Sequence, residues 1–353
     1  MKKVLALLLC IVMLCTLVAC ANSGKEEPKK EDTKKEDTKK EETQKNDNKP
    51  DETAKDEYSI DVILKTTASE YWGYVVAGAN AYAAENSNVK VDVKGPSSET
   101  AFDEQQNMIE TDLASGSYDA FIIAPLQGDV VATLIAGQEK PVLAVDTNIE
   151  APEILSFIGT GNKDAAAMGG QAAVAAAKEA GWSEIKAIAI AGVQGDTTAQ
   201  ARLDGYKEGV TAAGGEFLDS EIQWSNSVAD QAVTCMEAII QNHPEGVAII
   251  VTHNDDTAMA AARAAKASGN ANYEKTIFCG FDGIQSACEA ILAGEETMSV
   301  AQEAYLMGYK AVEAAVAALK GETLPAFIDS GCSVVDKNNA QKRLDELKGY
   351  LAQ

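Results

Sequence analysis

Beyond residue 57 the chain alternates between short apolar runs and longer stretches that carry apolar residues every three or four positions. Runs at 60–64, 89–93, 120–124, 142–145, 154–158, 187–191, 247–251, 277–280 and 299–301 have the length and β-branched content of strands. The stretches between them, at 72–86, 102–115, 130–137, 165–180, 201–213, 229–242, 257–268, 284–294 and 305–319, have the helical period. Several are rich in alanine, which favours helix and lets a helix pack closely on a sheet. This alternation constrains the fold more than any other feature. Parallel strands need long crossovers, and the crossovers become the helices that cover both faces of the sheet. The prediction is an α/β protein with doubly wound parallel sheets. A chain of 353 residues, 46% hydrophobic, is long enough for two such domains.

Polar and aromatic residues gather just after the strands: residues 65–72, Pro125-Leu126, Asp146-Thr147-Asn148, His253-Asn254-Asp255, Phe281-Asp282-Gly283 and Gln302. In open parallel sheets ligands bind at the carboxyl ends of the strands, so these residues are expected to converge on one side.

The first 57 residues read differently. Lys2 and Lys3 precede an apolar run at 4–16 that is too short to span a bilayer, and Leu17-Val18-Ala19-Cys20 follows. This has the form of a bacterial lipoprotein signal, cut before Cys20, which then carries lipid as a membrane anchor. Residues 1–19 are read as the signal peptide and 20–57 as a charged, disordered tether. The five residues at 29–33 recur at 34–38 and nearly so at 39–43, and no aromatic or β-branched aliphatic residue falls between 21 and 57. Such a segment buries too little apolar surface to offset its chain entropy. Its acids match its lysines block by block, so it is no polybasic membrane patch.

The formal charge is -24, and becomes -26 once Lys2 and Lys3 leave with the signal. That balance argues against nucleic acid, which demands basic surface. Metal and cofactor patterns are missing: Cys235, Cys279, Cys288 and Cys332 show no C-x-x-C spacing. Cys235 and Cys279 read as small buried hydrophobes, with a disulfide among the four left open. Catalytic signatures are also missing. Gly159-Thr160-Gly161 follows a strand, but Asp164 stands where a dinucleotide fingerprint needs its third glycine. Of the two histidines, His243 precedes Pro244 and reads as a helix stop, and His253 reads as a polar residue beside a ligand loop. Asp255 reads as a helix N-cap rather than a metal ligand.

Several segments in order resemble the type I periplasmic sugar-binding proteins, the group that binds allose, ribose and galactose. They are residues 62–72, the Pro141-to-Asp146 strand, Arg202-Leu203-Asp204-Gly205-Tyr206, Asn254-Asp255, Gly280-Phe281-Asp282-Gly283 and Val300-Ala301-Gln302. The allose and ribose branch is the nearest, through Lys65-Thr66 and the aromatic pair Tyr71-Trp72. The resemblance implies ligand contacts at Lys65, Ser69, Tyr71, Trp72, Asp146, Arg202, Asn254, Asp282 and Gln302, with Glu70, Thr147 and Trp224 behind them. Ser69, Glu70 and Thr147 depart from common family residues, so the particular sugar is open. The chemistry agrees: aromatic rings cover the C–H faces of a sugar, carboxylates accept its hydroxyl hydrogens, and guanidinium and amide groups donate.

The resemblance also implies a first domain of residues 58–160 plus 303–328 and a second of 161–302 plus 329–345, hinged, with 346–353 as a tail. The expected protein is a monomeric extracytoplasmic lipoprotein, not an enzyme, free of cofactor and metal. It would bind a neutral sugar or polyol and hand it to an ABC permease. A sugar sensor is the alternative, and a secreted sugar-acting enzyme the more distant one. A DNA-binding regulator with the same core is excluded by the signal peptide.

Overall fold

In a computed structural model, residues 57–351 are described, and the expectations for residues 1–56, including Cys20 and the tether, lie outside them. The first half runs β1 (Tyr58–Ile63), α1 (Glu70–Glu85), β2 (Val89–Lys94), α2 (Phe102–Ser115), β3 (Ala120–Ile123), α3 (Gly128–Leu134), β4 (Val142–Val145) and β5 (Ile154–Gly159). The chain then passes to α4 (Asn162–Glu179), β6 (Lys186–Ala191), α5 (Thr197–Ala212), β7 (Glu216–Phe217), β8 (Gln223–Trp224) and α6 (Ala229–Asn242). After these come β9 (Ile249–Thr252), α7 (Asp255–Ala267), β10 (Ile277–Asp282), α8 (Gln285–Ala293) and β11 (Met298–Gln302). The end of the chain forms α9 (Ala304–Leu319), β12 (Phe327–Asp329), β13 (Cys332–Asp336) and α10 (Ala340–Leu351).

Two sheets result. One has the order β12-β5-β4-β3-β1-β2, the other β13-β11-β10-β9-β6-β7, with β8 also paired to β6. The pairings are parallel except β11 with β13. The chain crosses between the sheets near residues 160, 303 and 330. Asp329 still pairs in the first sheet, so the last crossing falls just after it, and α10 carries the chain helically to Leu351 through the stretch read as a tail. Leu344 and Leu347 are buried, which is why that stretch stays helical.

Each sheet is apolar on both faces. In the first, Ala120, Ile122, Leu143 and Val145 join one core while Phe121, Ile123, Val142 and Ala144 join another. In the second, Ala187, Ala189, Ile249 and Val251 face α4 and α5, and Ile188, Ile190 and Ile250 face α6 and α7. This is the two-residue alternation of a strand with both faces covered, and it explains why the runs read as continuously apolar. The alanine-rich helices fit because small residues admit close approach. At Gly205 a Cβ would overlap the Lys163 carbonyl of α4, so only glycine lets α5 sit this near and set the height of Arg202, one turn earlier.

Among the described residues no helix is long and apolar enough to cross a membrane. Cys235, Cys279 and Cys288 are buried as free thiols, and Cys332 is free and exposed.

Candidate functional site

The carboxyl ends of both sheets face one cleft, and the loops there bring most of the expected residues together. From the first sheet come Lys65 and Ser69 after β1, Tyr71 on α1, and Asp146-Thr147 after β4. From the second come Arg202 on α5, Asn254 after β9, Asp282 ending β10 and Gln302 ending β11. A pocket of about 370 Å³ between the lobes is lined by Ser69, Tyr71, Asn254 and Asp282 together with Glu99, Asp256 and the 226–228 turn. A larger hollow of about 480 Å³ lies between loops 126–129 and 148–150 of the first lobe and 193–197 of the second. None of the expected ligand contacts lines it.

The two central acids share one backbone device. Asp146 has φ 63° and Asp282 has φ 117°, a region that side-chain-bearing residues rarely adopt. Each such residue costs about 1–3 kcal/mol and persists where its surroundings over-determine it, typically at ligand sites. Here the strand ends, turns abruptly and aims a carboxylate into the cleft.

Their partners differ. Tyr71 donates its hydroxyl to Asp146 Oδ1 at 2.7 Å, and Thr147 donates to Oδ2 at 2.8 Å. Asp282 instead accepts from Gln302 Nε2 at 2.8 Å and lies 3.7 Å from the Arg202 guanidinium. Arg202 also donates to Asn162 Oδ1 and to the His253 carbonyl, both at 2.8 Å, and its guanidinium sits 3.8 Å above the Phe281 ring. Burial pushes the Asp282 carboxyl well above its ordinary range, against the pull of Arg202. Burial likewise raises the Tyr71 phenol, helped by Asp146 and Asp282. Gln302 is fully buried, and its Oε1 has no hydrogen-bond partner. A buried acceptor without a partner, beside Asp282, is the kind of group that a bound hydroxyl satisfies.

Polar contacts also join the lobes. Lys65 Nζ lies 2.7 Å from Asp196 Oδ2, with both side chains only 6% exposed. Burial alone would lower the Lys65 ammonium, but the carboxylates of Asp196, Asp146 and Glu99 outweigh it and hold it above the usual lysine range. Thr147 and Thr198 hydroxyls meet at 2.8 Å. Glu70 Oε1 accepts from the Gln285 and Ser286 amides at the start of α8. Its negative charge therefore sits at a helix N-terminus of the opposite lobe.

The remaining expected residues fall elsewhere. Trp72 is 2% exposed in the first-lobe core, donating its indole N–H to Glu99 Oε1 at 3.1 Å. Trp224 ends β8, half-buried against the second-lobe core. Asn254, not Asp255, is the N-cap of α7: its Oδ1 accepts from the Thr257 amide at 3.1 Å. Asp255 is fully buried one residue further on. His253 is buried beside Arg202, and burial holds its imidazole well below the usual range, so it is neutral. Sequence reasoning missed Glu99 and Asp196. Both lie in loops without periodicity, and only the Asp-Thr-Thr-Ala start of α5, where Asp196 caps the Ala199 amide, carried a local signal. Among the described residues no cluster of three or more His, Cys, Asp or Glu is arranged to hold a metal ion.

Residues 60–323 match the family described as the periplasmic binding protein domain. The chain is 30% identical over 219 residues to a ribose import binding protein of Salmonella typhimurium, spanning 61% of this chain and 70% of that one. It is 30% identical over 248 residues to a D-apiose import binding protein of Paraburkholderia graminis, spanning 67% and 75%. A solved carbohydrate transporter solute binding protein from Agrobacterium radiobacter, in complex with D-arabinose, superposes with a TM-score of 0.75 at 24% identity, over 82% of this chain and 98% of that one. At that identity the likeness speaks to the fold alone.

Proposed function

The chain belongs to the periplasmic binding protein domain family, and from that premise we propose that it captures a neutral monosaccharide or polyol between its lobes outside the cytoplasm and delivers it to an ABC importer. The observation that carries the neutral ligand is the charge pairing of the cleft. Its two cations are already matched: Arg202 to Asp282 at 3.7 Å and Lys65 to Asp196 at 2.7 Å. A sugar phosphate or a carboxylate would call for uncommitted Arg, Lys or helix N–H donors. Hydroxyl groups instead suit the two strained carboxylates, the open Gln302 Oε1 and the Asn254 amide. Tyr71 offers an aromatic edge for the C–H face of a ring.

One ligand touching Asp146 and Tyr71 on one lobe and Arg202, Asn254, Asp282 and Gln302 on the other favours the closed arrangement over the open one. Hinge closure is the established behaviour of periplasmic binding proteins. Closure then marks the loaded state for the permease. A thermal-shift screen of pentoses, hexoses and polyols tests the reading. The expected result is a rise in Tm with one or a few neutral sugars, and a rise only with sugar phosphates or amino acids overturns it.

The same reading places the protein on the membrane through a lipid on Cys20, with the charged 21–57 segment as its tether. The support is the basic start, the short apolar run and Leu17-Val18-Ala19-Cys20. Cys20→Ala is expected to release the protein from the membrane fraction or to stall its processing. Normal processing with full membrane retention contradicts the anchor.

A further inference from the structure

Glu296, in the turn before β11, is 3% exposed, and neither of its carboxylate oxygens meets a hydrogen-bond donor. The Gly280 amide lies close enough to favour its charge slightly without meeting hydrogen-bond geometry. A buried ionised carboxylate in that condition would be far too costly to keep. The side chain reaches the backbone of Gly280 in β10, and so does Asp255. A Cβ at Gly280 would overlap Asp255 Oδ1 and Glu296 Oε1 together, both within 2.5 Å of that point. Two buried carboxyl groups therefore converge on one glycine, and only the missing side chain makes room for them.

Asp255 is fully engaged on its other side. Its Oδ1 accepts from the Ser299 hydroxyl at 2.5 Å, and its Oδ2 accepts from the Ile284 amide at 3.0 Å. Ser299 Oγ in turn accepts from the Gly283 amide at 3.0 Å. These bonds hold the backbone directly after Asp282, where Asp282 and Gly283 both have positive φ. The strained turn that aims Asp282 into the cleft is thus fastened to the Asp255–Ser299 pair.

We propose that Glu296 is a positioning residue for Asp282: held as the neutral acid, it donates a hydrogen bond to Asp255 and so keeps Asp255 anionic and locked onto the 283–284 turn. This rests on the reading above that Asp282 meets the ligand. One proton then serves two buried carboxyls, since two carboxyls converging on one glycine away from water do not both ionise. The surroundings agree. Glu296 faces Asp255, Asp256 and Arg263 of α7, Cys279 of β10 and Cys288 of α8, and Arg263 is drawn away to Glu295 at 3.2 Å. Burial raises Glu296 well above the glutamate range, and burial raises Asp255 to about 7.

The test uses the mature protein. Infrared spectra with 13C-labelled glutamate are expected to show a protonated carboxylic acid band at pH 7 that titrates away at alkaline pH and is absent in Glu296→Gln. Calorimetry with D-ribose is expected to show affinity falling about tenfold as that band disappears. In Glu296→Gln, whose amide donates at every pH, the affinity is expected to stay within about twofold over the same range. A purely structural Glu296 would change Tm but not this pH profile. Absence of the band at pH 7, or the same pH profile in both proteins, overturns the proposal. The band is read on the wild-type protein without ligand, so it decides the matter even where Glu296→Gln fails to fold. Failure of every neutral sugar to bind, with the band present, overturns the binding reading instead.

Discussion

The two lobes present the same device with opposite support. Asp146 and Asp282 each end a strand, each carry positive φ and each aim a carboxylate into the cleft. Asp146 is held by neutral hydroxyls, those of Tyr71 and Thr147. Asp282 is held by a guanidinium and an amide, and its turn is fastened from behind by Asp255 and Ser299. The difference teaches where charge is organised. The second lobe keeps a compensated ionic network in place before any ligand arrives. The first lobe supplies an aromatic wall and an acceptor whose partners are hydroxyls, which a sugar hydroxyl is able to replace or join.

Arg202→Met breaks this comparison most severely. It removes the one cation that opposes the burial of Asp282, which then takes up a proton, and it strips the donors from Asn162 Oδ1 and the His253 carbonyl; breaking a buried pair in this way costs up to about 3–5 kcal/mol. Thermal denaturation is expected to show a loss of that order, with sugar binding abolished. A stability within ~1 kcal/mol of wild type, measured with unchanged affinity, would place Arg202 outside the site.

Asp282→Asn and Asp146→Asn sharpen the comparison. Each keeps shape and exchanges a carboxyl acceptor for an amide, and calorimetry is expected to show binding weakened by about 1.5–3 kcal/mol. Burial already works against the Asp282 charge in spite of Arg202, so the unliganded stability of that variant is expected to hold or rise, whereas Asp146→Asn loses an acceptor for the Tyr71 or Thr147 hydroxyl and is expected to be less stable. Equal losses of stability would erase the distinction between the lobes.

Tyr71→Phe is the smaller change. It deletes one buried hydroxyl that donates to Asp146 and keeps the ring, for an expected affinity loss of about 0.5–1.5 kcal/mol. An effect as large as that of Asp146→Asn would mean that the phenol, not the carboxylate, meets the ligand.

The lobes are expected to behave alike with pH. Burial raises Asp61 of the first sheet to about 7, against Lys94 at 2.9 Å, and it holds Glu296 of the second well above the glutamate range. A carboxyl with a raised value holds more protons folded than unfolded, so stability declines as pH climbs from about 4 through about 7. The Tm is expected to drop across that window. A Tm that rises from pH 4 to 7 would show that carboxylates held below their ordinary range, such as Asp196 beside Lys65, govern the titration.

Much of the architecture was legible because buried parallel strands and their covering helices have strong, regular patterns. The strands at 89–94, 142–145 and 277–282 and the helices at 102–115 and 229–242 lie where periodicity placed them, to within a residue or two. What escaped was short or solvent-facing. Residues 216–217 and 223–224 are strands too brief to show alternation. Those at 327–329 and 332–336 run largely exposed at sheet edges, so they lack the apolar signature. The position of Lys65, Asp146, Asn254, Asp282 and Gln302 at or just after strand ends was legible from topology alone. Trp72 was not, because a tryptophan two residues into a helix looks the same whether it faces ligand or core, and here the Glu99 contact and 2% exposure place it in the core. Glu296 gave no signal, since its partner lies 41 residues away and the shared feature is the missing side chain of Gly280.

The central claim is that one neutral sugar bridges Asp146 on the first lobe and Asp282 on the second. The most direct measurement is a calorimetric titration of the wild-type protein and of the Asp146→Asn, Asp282→Asn double variant with the best sugar from the thermal-shift screen. The account predicts tight one-to-one binding by the wild type. It also predicts a double-variant loss smaller than the sum of the single losses, because either substitution already loosens the bridge that rewards closure. Strictly additive losses, or a wild type that binds only a charged ligand, would contradict it.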